Sequence, residues 1–130
     1  MSSSAVRRVH EVFERFEARD VEGVVALFAT DGVFADPHYP PPIGPAMVGH
    51  QAIREGLSWG LSIVDQPHFA VRHELTGDSD AVAAFEVDTN HQLVGGGAMV
   101  FTQVFMAEVD GDGLLSRMQG YTPYPPPAQP

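Results

Sequence analysis

Residues 28–44 read FATDGVFADPHYPPPIG. The apolar run before it breaks at Thr30-Asp31-Gly32, a turn-forming triplet, and resumes as VFAD, a short strand that ends on Asp36 in front of Pro37. The prolines that follow oppose both helix and ladder pairing, so residues 37–48 read as a stiff loop. Asp36 at the strand end is therefore either a turn-former or a base facing a cavity, and the flanking elements bear on which.

On the N-terminal side, Val6, Val9, Val12, Phe13 and Phe16 fall at helical spacing over residues 5–18, behind serines able to cap the first free amides. Asp20 caps a second helix, VEGVVALFA, that stops at TDG. On the other side GHQAIREGLSWGL, residues 49–61, restarts as a third helix. After residue 65 the period changes to two. HFAVRHEL, AVAAFEVDTNHQL, AMVFTQVFMAEV and LLSRMQGYTPY alternate, separated by the turn sequences TGDSD, VGGG and DGDG.

Helices first and a four-stranded antiparallel meander afterwards define an α+β domain with the helices across one sheet face. Strand 98–109 is apolar on both faces, with Met99, Phe101, Phe105 and Ala107 on one and Val100, Val104 and Met106 on the other. Since the helices cover one face, the outer face is expected to pack against a second subunit as a homodimer. The chain reads as one domain over residues 1–130, with a proline-rich tail at 123–130 that has little to bury.

Composition narrows the chemistry. Seven basic residues, all arginine, stand against 17 carboxylates for a net charge of −10, which argues against nucleic acid and anionic membranes as partners. Without lysine there is no side-chain Schiff base and no P-loop lysine; without cysteine there is no thiolate nucleophile. The six histidines show no metal-ligand spacing, VGGGA lacks the helix a phosphate loop requires, and no GxSxG elbow occurs. No cofactor and no metal are expected. The charged N-terminus has no apolar run for a signal peptide or a spanning helix, so a cytoplasmic protein is expected.

The string ARDVEGVVALFATDGVFADP, the PPIG before a helix opened by Gly49, and DGDGLLSRMQGY over the last hairpin resemble the NTF2-like superfamily, specifically ketosteroid-isomerase-like and SnoaL-like proteins. The resemblance spans nearly the whole chain. It implies a cone, with three N-terminal helices packed on a strongly bent, mostly antiparallel sheet that encloses an apolar pocket. In ketosteroid isomerases the aspartate of the DP dipeptide is a general base, which by this match is Asp36. The same match implies walls from Val12, Phe16, Phe28, Leu57, Phe85, Val87, Thr89, Phe101, Gln103, Phe105, Met118 and Gly120, joined by Tyr39, Trp59 and His91 as substrate-binding residues. Val12 and Phe105 stand where the isomerases carry oxyanion donors, and Leu57 where a supporting tyrosine would be. Thr102 and Gln103 stand where the related limonene epoxide hydrolases would carry a carboxylate.

The residues themselves support part of this. Alternation puts Phe85, Val87, Thr89 and His91 on one face of their strand and Phe101, Gln103 and Phe105 on one face of the next. An Asp36 that faces an apolar cavity is placed for base chemistry on a bound substrate. His38 and Tyr39, expected at the pocket mouth, can donate to a substrate oxygen or be plain loop residues. His91 is a second acid or base, or a solvated strand end. Gln103 either donates to a ligand carbonyl or bonds a neighbour or water.

The reading that follows is a cofactor-independent isomerase or cyclase acting on a steroid-like or polyketide-like substrate, with Asp36, Gln103 and His38 as catalytic residues. The alternatives are a non-catalytic binder of a hydrophobic small molecule, a hydrolase or dehydratase of SnoaL-like type, and an adaptor that recruits another protein through its outer sheet face.

Overall fold

The computed structural model describes residues 4–122. Three helices come first: α1 (Ser4–Glu17), α2 (Val21–Val25) and, after two strands, α3 (His50–Ile63). Helix α1 buries Val6, Val9, Val12, Phe13 and Phe16 along one face, as its spacing dictates. The serines before Ser4 and the tail at 123–130 lie outside the described residues.

The strands are β1 (Phe28–Ala35), β2 (Ala46–Val48), β3 (Val64–Gln66), β4 (Phe69–Thr76), β5 (Val82–Leu93), β6 (Ala98–Val109) and β7 (Leu115–Tyr121). They form one mixed sheet in the order β2-β1-β7-β6-β5-β3, with β4 also paired to β5. The expected meander is β4 to β7, antiparallel throughout, and β1 joins its far side parallel to β7. Register shifts in β1, β3, β4 and near the end of β6 let the sheet curl over the helices, which gives the cone.

Three elements differ from the sequence reading. Helix α2 ends at Val25, not Ala29, because Phe28 is drawn into register with Leu115 and β1 continues through Thr30-Asp31-Gly32 with a shift of register. The proline loop is shorter than 37–48: Ala46 to Val48, beyond the last proline, keep their amides and pair with β1. Three residues after α3 make β3, too short to show a period.

Glycine positions the third helix. Gly49, at φ 88°, is its N-cap and donates its N–H to Gly32 O at 2.8 Å, a backbone geometry that a side chain would strain. Gly56 lets α3 close on β2, since a Cβ there would lie 2.0 Å from Met47 Sδ.

The inner sheet face and the helices share one core that includes Phe28, Phe85, Phe105, Ile53, Leu57 and Met118. The outer face leaves Leu75, Val82, Val100, Val104 and Tyr121 exposed, with Val100 at 65%.

Candidate functional site

The loop after β1 is closed by its own backbone. Asp36 N–H donates to Pro45 O at 2.8 Å and Tyr39 N–H to Asp36 O at 3.1 Å, so residues 36–45 fold back as a ring of chain instead of projecting outward. The Pro41–Pro42 and Gly44–Pro45 peptides are cis. This closure turns Asp36, His38 and Tyr39 inward, and all three are buried.

Asp36 and His38 form a pair. Both His38 N–H, at 2.9 Å, and His38 Nδ1, at 2.7 Å, donate to Asp36 Oδ1. Two donors on one oxygen fit an ionised carboxylate and leave Oδ2 without a partner among the described residues. The His38 ring stacks on Phe101 with centroids 4.0 Å apart, and its buried Nε2 has no hydrogen-bond partner among the described residues. Tyr39 packs edge-on against Phe34 and beside Trp59, with Gly60 leaving room for its hydroxyl. Burial, helped by the Asp36 charge, pushes the Tyr39 phenol far above its usual pKa, so it remains an O–H donor.

These groups line a cavity between α1, α3 and the inner sheet face, with Val12, Phe16, Phe28, Leu57, Phe105 and Met118 among its apolar walls. Its volume is about 60 Å³, room for a few waters and less than the several hundred Å³ of a typical ligand pocket. A polycyclic ligand therefore enters only if wall residues move. The half-buried Trp59, Ile63, Phe69 and Phe101 are the ones with solvent on one side.

Two further polar side chains complete the wall. Gln103 is buried, and its Oε1 has no partner among the described residues. Gly120 brings it beside Asp36: the point a Cβ on Gly120 would occupy lies 3.5 Å from both Asp36 Cγ and Gln103 Oε1, and 3.2 Å from Phe105 Cε1. His91 is buried between Phe16 and Phe69, and its Nδ1 accepts the His68 N–H at 3.0 Å. Burial lowers the His91 pKa to about 4; the Asp36 charge opposes this, while His38 and His68 add to it. Among the described residues, no group of three or more His, Cys, Asp or Glu side chains is arranged to hold a metal ion.

Of the residues singled out from sequence, Asp36, His38, Tyr39, Trp59, His91, Phe101 and Gln103 come together at this cavity. His38 and Tyr39 are not mouth residues but sit inside, held by the closed loop and by aromatic neighbours. Phe85, Val87 and Thr89 share the face of His91 but lie in the core beyond the cavity. Phe85 meets His10 of α1 edge-on, and the stacked pair Phe13–Phe69, 4.5 Å apart, is part of the cavity wall.

The wall also contains residues the sequence reading missed. Met99 was legible, two residues before Phe101 on the same face, and Phe13 adjoins Val12 on the apolar stripe of α1. Phe69 opens β4, the first strand of the expected meander, while Val64 comes from β3, whose place beside β5 no local pattern reveals.

Comparison with known proteins agrees with this architecture. RV0760c from Mycobacterium tuberculosis superposes with a TM-score of 0.84 over 93% of this chain and 92% of its own, at 22% identity. Its complex with estradiol-17β-hemisuccinate matches with a TM-score of 0.82 at 21% identity, over 92% of this chain and 94% of its own. The Δ5-3-ketosteroid isomerase from Mycobacterium sp. gives 0.80 at 22% identity, with 92% of each chain covered. At such identities the likeness is one of fold. No curated protein matches. Residues 9–118, however, match the model of the SnoaL-like domain, and the chain belongs to that family.

Proposed function

We propose that the protein is a cofactor-independent acid/base enzyme of the isomerase or cyclase type, acting on an apolar carbonyl compound of steroid-like or polyketide-like size. The observation that carries this is Asp36, a buried carboxylate in a largely apolar cavity, fixed through Oδ1 by His38 and free at Oδ2. A carboxylate is costly to bury without use, and here half of its bonding capacity is withheld from the protein. Oδ2 takes a proton from the carbon beside the carbonyl. His38 keeps the carboxylate oriented, and Gln103 and Tyr39 position the substrate's oxygens.

Walls of Phe16, Phe28, Phe105 and Met118 exclude water, which strengthens each of these polar contacts and holds a flexible substrate in a reactive shape. The complex of RV0760c with estradiol-17β-hemisuccinate supports a hydrophobic ligand for this pocket. The exposed outer-face residues Val100, Val104 and Leu75 support a homodimer through that face.

The test is hydrogen–deuterium exchange at carbon. In D2O the wild type should accelerate exchange beside the carbonyl of apolar ketones such as 5-androstene-3,17-dione and 2-tetralone. Asp36→Asn should lose about 10²- to 10⁴-fold of it. A second reading is a carrier without chemistry, favoured by Val12, Phe105 and Leu57, which offer no hydrogen bond to a developing oxyanion. Binding of these ketones without any exchange in the wild type establishes the carrier and removes the enzyme.

A further inference from the structure

We infer that His91 supplies the oxyanion donor of this cavity, as a neutral imidazole held in its Nε2–H tautomer by the main chain of His68; this rests on the acid/base reading of Asp36.

The tautomer follows from one contact. A backbone N–H can only donate, so His91 Nδ1, 3.0 Å from His68 N, must present its lone pair. In a neutral ring the hydrogen is then on Nε2. The two ring nitrogens point away from each other, so with Nδ1 turned to the exposed His68, Nε2–H is turned to the opposite side of a ring that lines the cavity. Nε2 has no partner among the described residues.

The contact is built, not incidental. His68 is tied to β5 twice, through its N–H to His91 and through its carbonyl, which accepts Asn90 N–H at 3.0 Å. The same connection is pinned to α1, because Glu17 Oε2 accepts Phe69 N–H at 2.8 Å and lies 3.2 Å from His68 Nδ1. Phe69 meets the His91 ring edge-on at 5.0 Å and Phe16 lies tilted beside it, which fixes the ring plane.

Burial keeps the ring neutral, opposed by the charge of Asp36 and aided by His38 and His68. A neutral imidazole donates one hydrogen bond and does not give up its proton, which is what a developing enolate needs when Val12 and Phe105 give nothing. In the step itself Asp36 Oδ2 takes the proton from carbon and the C–H electron pair moves into the enolate. The enolate oxygen accepts the His91 Nε2–H bond. Asp36 then returns the proton to the same or a conjugated carbon, so nothing is consumed.

The test begins with ¹⁵N-histidine NMR of the wild type, free and with 2-naphthol as the probe. A protonated Nε2 and bare Nδ1 on His91, with the Nε2–H signal moving when 2-naphthol is added, are expected. In the ketone exchange assay, His91→Phe should lose about 10²- to 10³-fold in kcat with little change in KM, and His91→Gln, which keeps an N–H, should recover part of it. A hydrogen on Nδ1 overturns the inference, as does an Nε2–H signal indifferent to bound naphthol. So does His91→Phe exchanging like the wild type while Asp36→Asn is silent. A wild type that exchanges nothing removes the acid/base reading, yet the tautomer and the naphthol response still decide whether His91 is the cavity's donor.

Discussion

Asp36 receives two hydrogen bonds from the residue two positions along the chain, one from the His38 backbone and one from its ring, both on Oδ1. The ring bond is made to a carboxylate inside the protein, and hydrogen bonds to charged groups contribute about 1.5–3 kcal/mol. His38→Phe retains the stack on Phe101 and the backbone bond and removes only the ring donor. Urea unfolding is expected to show a loss in that range, together with a drop in carbon–deuterium exchange larger than the drop in ligand affinity. Equal losses in both would make His38 a binding residue and not a positioning one.

Gly120 offers a different handle. A methyl group placed there reaches 3.5 Å from Asp36 Cγ and Gln103 Oε1 and crowds Phe105 Cε1 at 3.2 Å. Gly120→Ala should change stability by less than about 1 kcal/mol, since only a ring edge must shift. Calorimetric binding of 2-naphthol should nonetheless weaken at least about tenfold, because the methyl fills the space between the two polar groups. Unchanged affinity would show that the ligand lies elsewhere in the cavity.

Acid sensitivity is expected of His91. Its folded pKa, about 4, lies below the value of about 6.5 in an unfolded chain. The unfolded state therefore binds the extra proton first, so the contribution is complete above about pH 6.5 and is lost as pH falls through about 4. That gap corresponds to about 3 kcal/mol. Comparing urea midpoints of wild type and His91→Gln across this window isolates the histidine from the carboxylates common to both. Parallel curves would mean that the ring is not held neutral.

Arg19, at φ 61°, spans the end of α3 by donating to Leu61 O at 2.7 Å, Val64 O at 2.6 Å and Asp65 O at 2.9 Å. Only the guanidinium fork reaches three carbonyls at once. Arg19→Lys should cost about 1–2 kcal/mol, read as a lower Tm, with exchange activity at 25 °C unchanged.

How much of this was legible before folding depended on whether the signal was local. The faces of β5 and β6 were read correctly because alternation is a property of neighbours, and Asp36 was marked by its strand and Pro37. Where partners distant in sequence decided the outcome, the reading failed. Leu115 drew Phe28 out of the expected helix, and Phe101 and Pro45 turned an expected mouth loop into an interior one. Phe85 and His91 carry the same alternation signal, yet of the two only His91 lines the cavity, while Phe85 packs against His10 of α1.

The borders of the sheet have their own consequence. At one end β2 is three residues long and follows directly on Pro45; at the other β3 is equally short, and β4 carries Arg72, His73 and Glu74 in succession. Brevity, proline and charge are what keep a sheet from recruiting strands of other molecules along its rim. Borders of this kind discourage the edge-to-edge strand pairing by which fibrils grow.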